Sequence, residues 1–264
     1  MLPIKVGVCA PVGSAGVAKA AGVDFLEENV QGFLVPEAPE DEFAPKLEAA
    51  SASPVPVTVA NCFLPGGIKC VGPQVDAARI LRYAETAFRR AEAVGIRTIV
   101  FGSCTSRSLA EGVHREDAVV QLAELMRLLG PRAEARGIVI TIEPLNSGEC
   151  NFINSLAEGA ELVERSSHPS VRLLADFYHM ARDKEPPGEI VRYGPLIVHA
   201  HVAEAERRTR PGLMGDDFRP YLRALVNAGR CGALSIESGW ENLAEECAAS
   251  VRLLREQIAE AGGR

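Results

Sequence analysis

Short apolar runs rich in β-branched residues alternate along this chain with longer segments of Ala, Leu, Glu and Arg. The runs at 4–8, 24–29, 55–60, 98–101, 138–142, 171–175, 196–200 and 233–236 are largely apolar and too short for buried helices. They read as strands of a parallel sheet covered by helices. The segments between them carry helical periodicity at 16–21, 41–50, 73–94, 116–136, 154–166, 218–228 and 243–261. Asn154 or Ser155 is placed to cap one helix at its start, and Gly229 to cap another at its end. Eight units in 264 residues come to about 33 residues each, which predicts a closed (β/α)8 TIM barrel as one domain over 1–264. An open doubly wound sheet would carry a glycine-rich phosphate turn after a strand; no GxGxxG stands there. The longest βα loops are expected around 65–67 and 208–215.

Composition narrows the partners. Net charge is -7 with only 28 Lys and Arg and no basic run, which argues against nucleic acid. The seven cysteines are irregularly spaced with no CxxC, the pattern of free thiols in a reducing compartment. The start, MLPIKVGVCA, lacks the basic and apolar regions of a signal peptide, and no long apolar run offers a membrane span. The expected location is cytoplasmic.

In an eightfold barrel the residues just after the strands converge on one pocket. Glu143 follows the fifth strand, Asp176 the sixth, His201 the seventh and Glu237 the eighth. One carboxylate after one strand is ordinarily a helix cap or a solvated loop residue. Three carboxylates and an imidazole at one rim would suffer repulsion and desolvation without a cation. The set therefore predicts a divalent metal site. Its mostly hard ligands suit Mn2+ first, with Mg2+ and Co2+ as other fits, and no thiol cluster suggests structural zinc.

These positions resemble the xylose-isomerase-like superfamily of sugar isomerases and epimerases, and within it the ketose (D-tagatose and D-psicose) 3-epimerases. The resemblance is most specific between residues 138 and 240. It implies that Glu143, Asp176, His201 and Glu237 bind the metal. It also implies substrate contacts from Glu149, six residues after the first metal Glu; from His179, three after the metal Asp; from Arg207, six after the metal His; and from Cys62 after strand three. Homo-oligomers, dimeric or tetrameric, are a further implication.

The implied chemistry is proton transfer at a carbon next to a carbonyl, through a metal-stabilised enediolate with Glu143 and Glu237 as two bases. Asp176 and His201 would hold the metal, while His179 and Arg207 orient substrate oxygens. The same pair of bases would serve a hydroxypyruvate-type isomerase or an inosose-type dehydratase. A barrel that only binds sugar would not need both. A DNA-repair barrel of the endonuclease IV type needs more histidines than the five present, His114, His168, His179, His199 and His201. Glu28, Ser103 and Cys104 end strands or follow them without an assigned role, and the run Arg207–Arg210 suits an anionic group or solvent equally.

Overall fold

A computed structural model describes residues 4–262. Eight strands, β1 (Lys5–Cys9), β2 (Phe25–Asn29), β3 (Val57–Asn61), β4 (Thr98–Phe101), β5 (Val139–Ile142), β6 (Val171–Asp176), β7 (Ile197–Val202) and β8 (Ala233–Ile236), close into a barrel in chain order. Every neighbouring pair is parallel, including β1 with β8. The fold is a (β/α)8 TIM barrel.

The helices follow from local sequence. In chain order they are α1 (Ala15–Ala20), α2 (Glu40–Ser51), α3 (Ala77–Val94), α4 (Cys104–Arg107), α5 (Arg115–Glu134), α6 (Leu156–Ser166), α7 (Phe177–Arg182), α8 (Gly188–Tyr193), α9 (Arg219–Ala228) and α10 (Leu243–Glu260). The sequence expectation began α3 four residues early; Asp76 starts it by accepting the Arg79 N–H at 2.9 Å. Ser155 rather than Asn154 caps α6, accepting the Glu158 N–H at 3.2 Å. Gly229 ends α9 in the left-handed region, φ 72°. Three short helices were not expected: α4, α7 and α8. Each is a single turn or little more, too short to show a period. Among the described residues no helix is long and apolar enough to cross a membrane.

Two cores result. Between strands and helices lies the main one, which includes Val6, Leu26, Phe63, Phe88, Ile140 and Leu173. Inside the barrel Phe25, Val59, Val100 and Leu174 form a small apolar plug. Gly7 makes room for it: a Cβ there would stand 2.3 Å from the Phe25 ring. Phe25 meets His199 edge-on, ring centroids 6.1 Å apart, so the polar site rests directly on this plug.

Candidate functional site

Strand ends set the site. Asp176 is the last residue of β6 and is paired with His201 of β7. Glu143 and Glu237 each lie one residue past their strand. The Glu143 N–H donates to the Phe101 carbonyl at 3.2 Å and the Glu237 N–H to that of Val202 at 3.1 Å, so both continue the ladder and face inward. Behind Glu143, the buried Arg107 guanidinium donates to the Glu143 carbonyl at 2.7 Å and that of Phe101 at 3.1 Å. Glu143, Asp176, His201 and Glu237 bring one ligand atom each to within 4.8 Å of one another. His201 Nδ1 lies 2.9 Å from Glu143 Oε1, 3.1 Å from Glu237 Oε2 and 3.9 Å from Asp176 Oδ2.

On the other side of the ring, His201 Nε2 faces Glu27 Oε1 at 2.9 Å, and Glu27 Oε2 faces His199 Nε2 at 3.0 Å. Ser235 Oγ is 3.3 Å from the same His199 nitrogen. Glu27 was missed from the sequence, where its neighbour Glu28 drew the notice. The available signal was parity: Phe25 and Glu27 share the inner face of β2, as His199 and His201 share that of β7. Glu28 points the other way. It accepts the Val12 and Asn29 N–H groups and so ties down the turn after β1.

Burial and charge compete here. Desolvation would raise Glu27, but His201 and His199 bring it well below the ordinary carboxylate range. Burial likewise acts to raise Glu237, yet His201 and Arg208 draw it down to about 2. For Glu143 burial wins and the carboxyl is raised, with His201 opposing. Burial works against a charged His201, but Glu27, Glu237 and Glu143 hold its proton well above the usual range.

One feature of the cluster is incomplete without a further partner. Asp176 Oδ1 accepts the Tyr178 and His179 N–H groups at 2.7 and 3.3 Å. Its Oδ2 is buried and makes no hydrogen bond among the described residues, nor does His179 Nε2, 3.5 Å away. Unpaired buried polar atoms are uncommon and costly. Three carboxylates and one imidazole nitrogen converging on that point fit a divalent cation that accepts oxygen and nitrogen ligands.

Around this centre the other expected residues are placed unevenly. His179 is buried, its Nδ1 within 2.8 Å of the Asn146 side-chain amide. That amide group also donates to Glu149 Oε1 at 2.9 Å, so one Asn sets both side chains. The half-buried Cys62 thiol stands in the field of Glu237, Glu143 and Glu27, and burial with those charges pushes it up to about 12. Arg207 is not brought to the site. Its side chain is 67% exposed and lies against Glu206 and Met214. Arg208 enters instead: it pairs with Glu237, comes within 3.7 Å of both Asp176 and Glu149, and lies over the Tyr178 ring at 4.8 Å. The reason is a backbone reversal, with φ of 60° at Arg207 and 52° at Arg208. Buried Glu204 fixes that reversal by accepting N–H groups of Gly212, Met214 and Gly215 at 2.6–3.0 Å and the Thr209 hydroxyl at 2.8 Å.

The model of the xylose isomerase-like TIM barrel family matches residues 15–257. The chain belongs to that family. Among its relatives, the D-psicose 3-epimerase of Ruminiclostridium cellulolyticum is 30% identical over 115 residues, 43% of this chain and 39% of the relative. The D-psicose 3-epimerase of Agrobacterium fabrum is 36% identical over 102 residues, 38% of this chain and 35% of the relative. A putative hydroxypyruvate isomerase of Danio rerio is 30% identical over 109 residues, 39% of this chain and 40% of the relative. The chain thus spans about two fifths of the length of the curated relatives it matches. Solved members of this fold superpose along nearly the whole chain. The 3-keto-D-glucoside 4-epimerase of E. coli has a TM-score of 0.79 at 22% identity, covering 96% of this chain and 99% of its own. The D-psicose 3-epimerase with D-tagatose from Clostridium cellulolyticum has 0.81 at 18%, covering 97% and 99%.

Proposed function

We propose that the protein is a divalent-metal-dependent isomerase or epimerase of a small sugar-like molecule, acting at a carbon beside a carbonyl. The observation that carries this reading is the approach of Glu143 and Glu237 to one point, His201 Nδ1, from two different strand ends. Epimerisation removes a proton from one face of a carbon and returns one to the other, so it needs an acid–base group on each face. Glu143 and Glu237 are that pair. Asp176 and His201 complete the ligand set of the cation, for which Mn2+ is the first choice. The chemistry such a cation supplies when bound there is polarisation of the substrate carbonyl.

The surrounding residues bind and orient. The Arg208 guanidinium presents donors at the mouth of the site, and His179 presents its unpaired Nε2 from within. Glu149, held by Asn146, accepts from a substrate hydroxyl. Glu27 keeps the His201 ring turned so that Nδ1 faces the cluster. The activities of the relatives agree with this class of reaction, since they include 3-epimerases and a 4-epimerase. Two other relatives are putative hydroxypyruvate isomerases, and the same two bases serve aldose–ketose isomerisation.

The test is proton exchange. Metal-stripped protein is given ketoses, ketose phosphates and hydroxypyruvate in deuterated water, with and without Mn2+, and C–H exchange is followed by NMR. Exchange that requires Mn2+ and is lost in Glu143→Gln and in Glu237→Gln is the expected result, and the carbon that exchanges separates epimerase from isomerase. Exchange that continues in metal-free protein overturns the mechanism.

A further inference from the structure

Two cysteines outside the carboxylate cluster share one hydroxyl. Cys104 opens α4, and Cys150 lies in the segment between β5 and α6. The Ser108 Oγ is 3.6 Å from the Cys104 sulfur and 3.7 Å from that of Cys150. The Cys104 thiol also donates to the Glu149 carbonyl, the residue next to Cys150, at 2.8 Å, and the Cys150 sulfur is 3.9 Å from the Cys104 carbonyl. One hydroxyl thus stands within 3.7 Å of both sulfurs, and each thiol reaches a main-chain carbonyl in the other's segment. Cys150 is buried and Cys104 is half-buried, so the pair has one side toward solvent.

The buried Arg107 guanidinium belongs to α4, as Cys104 does. Its two terminal nitrogens donate to main-chain carbonyls of Phe101, Glu143 and Ile153, the last only three residues after Cys150. A nearby cation favours the thiolate form of a cysteine. Burial alone would raise the Cys150 thiol, but Arg107, with hydrogen bonds at Phe152 and Ser108, brings it below its ordinary value. Elsewhere burial pushes the thiols up: Cys62 and Cys231 to about 12, Cys70 and Cys247 to about 11, and Cys9 well above its ordinary value.

We propose that Cys104 and Cys150 are a redox-active pair, with Cys150 the sulfur that reacts with a hydroperoxide and Cys104 the one that closes a disulfide onto it. The Cys150 thiolate attacks one peroxide oxygen. The S–O bond forms as the O–O bond breaks, and the departing oxygen takes up a proton. The Cys104 sulfur, giving up its proton, then attacks the Cys150 sulfur. The S–S bond forms, the S–O bond breaks, and the hydroxyl leaves as water. The two sulfurs together lose two electrons, which reduce the peroxide. The bond ties α4 to the segment bearing Glu149 and draws Cys104 from the Glu149 carbonyl.

The full chain, reduced and freed of reductant, is exposed to hydrogen peroxide, alkylated and digested with trypsin. Cys104 and Cys150 fall in the separate peptides 98–107 and 137–165. The expected product is the two peptides joined, lighter by two hydrogen atoms and separated again by dithiothreitol. The five other cysteines stay alkylatable. In Cys104→Ser, a dimedone adduct accumulates at Cys150; in Cys150→Ser, Cys104 stays alkylatable at the same dose. Cys150 remaining fully alkylatable, or a disulfide joining either residue to a different cysteine, overturns the proposal. The readout is a mass, independent of substrate and of metal.

Discussion

Glu27 and His201, 174 residues apart in sequence, are joined by a 2.9 Å hydrogen bond that closes the floor of the carboxylate–imidazole cluster. The bond engages Nε2 and leaves Nδ1 toward Glu143, Glu237 and Asp176. A carboxylate behind a ligating imidazole fixes its tautomer and raises its basicity. Glu27→Gln keeps the shape and removes the charge. It should weaken Mn2+ binding by about 10- to 100-fold, measured by titration calorimetry, with the fold intact by circular dichroism. Equal affinity in the variant would show that His201 needs no such support.

Gly102 allows Glu143 to stand where it does. A Cβ on residue 102 would lie 2.1 Å from Glu143 Oε2. A free surface side chain would step aside, but Glu143 is buried and set by its ladder bond to Phe101 and by Arg107. Gly102→Ala is expected to cost about 1–3 kcal/mol of stability through overpacking. Mn2+ affinity should fall by more than about tenfold, as loss of a ligand's position does at least what loss of its support does. Denaturant unfolding and metal titration on the same preparation check the two effects.

The two arginines after β7 should behave differently. Arg208→Ala removes a charge-assisted contact at the mouth of the site and leaves Glu237 with His201 as its one remaining cationic partner among the described residues. Proton exchange in a responding sugar should drop by about 10- to 100-fold, as expected for a contact of roughly 1.5–3 kcal/mol. Arg207→Ala, on an exposed side chain, should stay within about twofold. The reverse ranking in exchange rates would mean that substrate turns the loop over.

Glu185 supplies a pH dependence away from the proposed metal ligands. Burial lifts its carboxyl from 4.5 to about 7; Glu189, Asp183 and Glu158 add to the rise, and the Leu156 N–H it accepts at 2.9 Å opposes it. The folded protein therefore holds this proton more tightly than the unfolded chain does. The cost of ionising Glu185 is absent below about pH 4.5, grows as pH rises toward 7, and is constant above. Glu185→Gln should melt higher than the parent at pH 8 by on the order of 2–4 °C, the part-exposed carboxyl being discounted to about 1 kcal/mol. The gain should vanish near pH 4.5. Thermal melts across that range decide it, and a gain that grows toward low pH would refute the assignment.

The barrel and the four-residue cluster were legible because they rest on repetition. Eight apolar runs mark the strands, and a ligand-capable residue follows each of the last four. The offsets that the resemblance implied for His179 and Glu149 lead to side chains beside the cluster, since α7 and the turn at Asn146 keep the chain in ordinary conformations. The same counting chose Arg207 over Arg208, because two successive left-handed residues, φ 60° and 52°, turn one side chain out and the next in. Glu27 escaped for another reason. A carboxylate inside a strand has no loop to advertise it, and only the partner histidines on β7 give it meaning. The pairing of Cys104 with Cys150 depends on how two loops meet, which no local pattern encodes.

The Glu204 carboxylate does for the loop after β7 what a core does for a domain. With its ring of N–H and hydroxyl donors, the loop carries its own framework around one carboxylate two residues past β7. Side chains at 205–207 and 213–214 can then be exchanged without disturbing either that framework or the carboxylates beneath. Under the proposed function, that gives a replaceable selector mounted on a fixed reaction centre, so that a change of substrate would need changes in the one and none in the other.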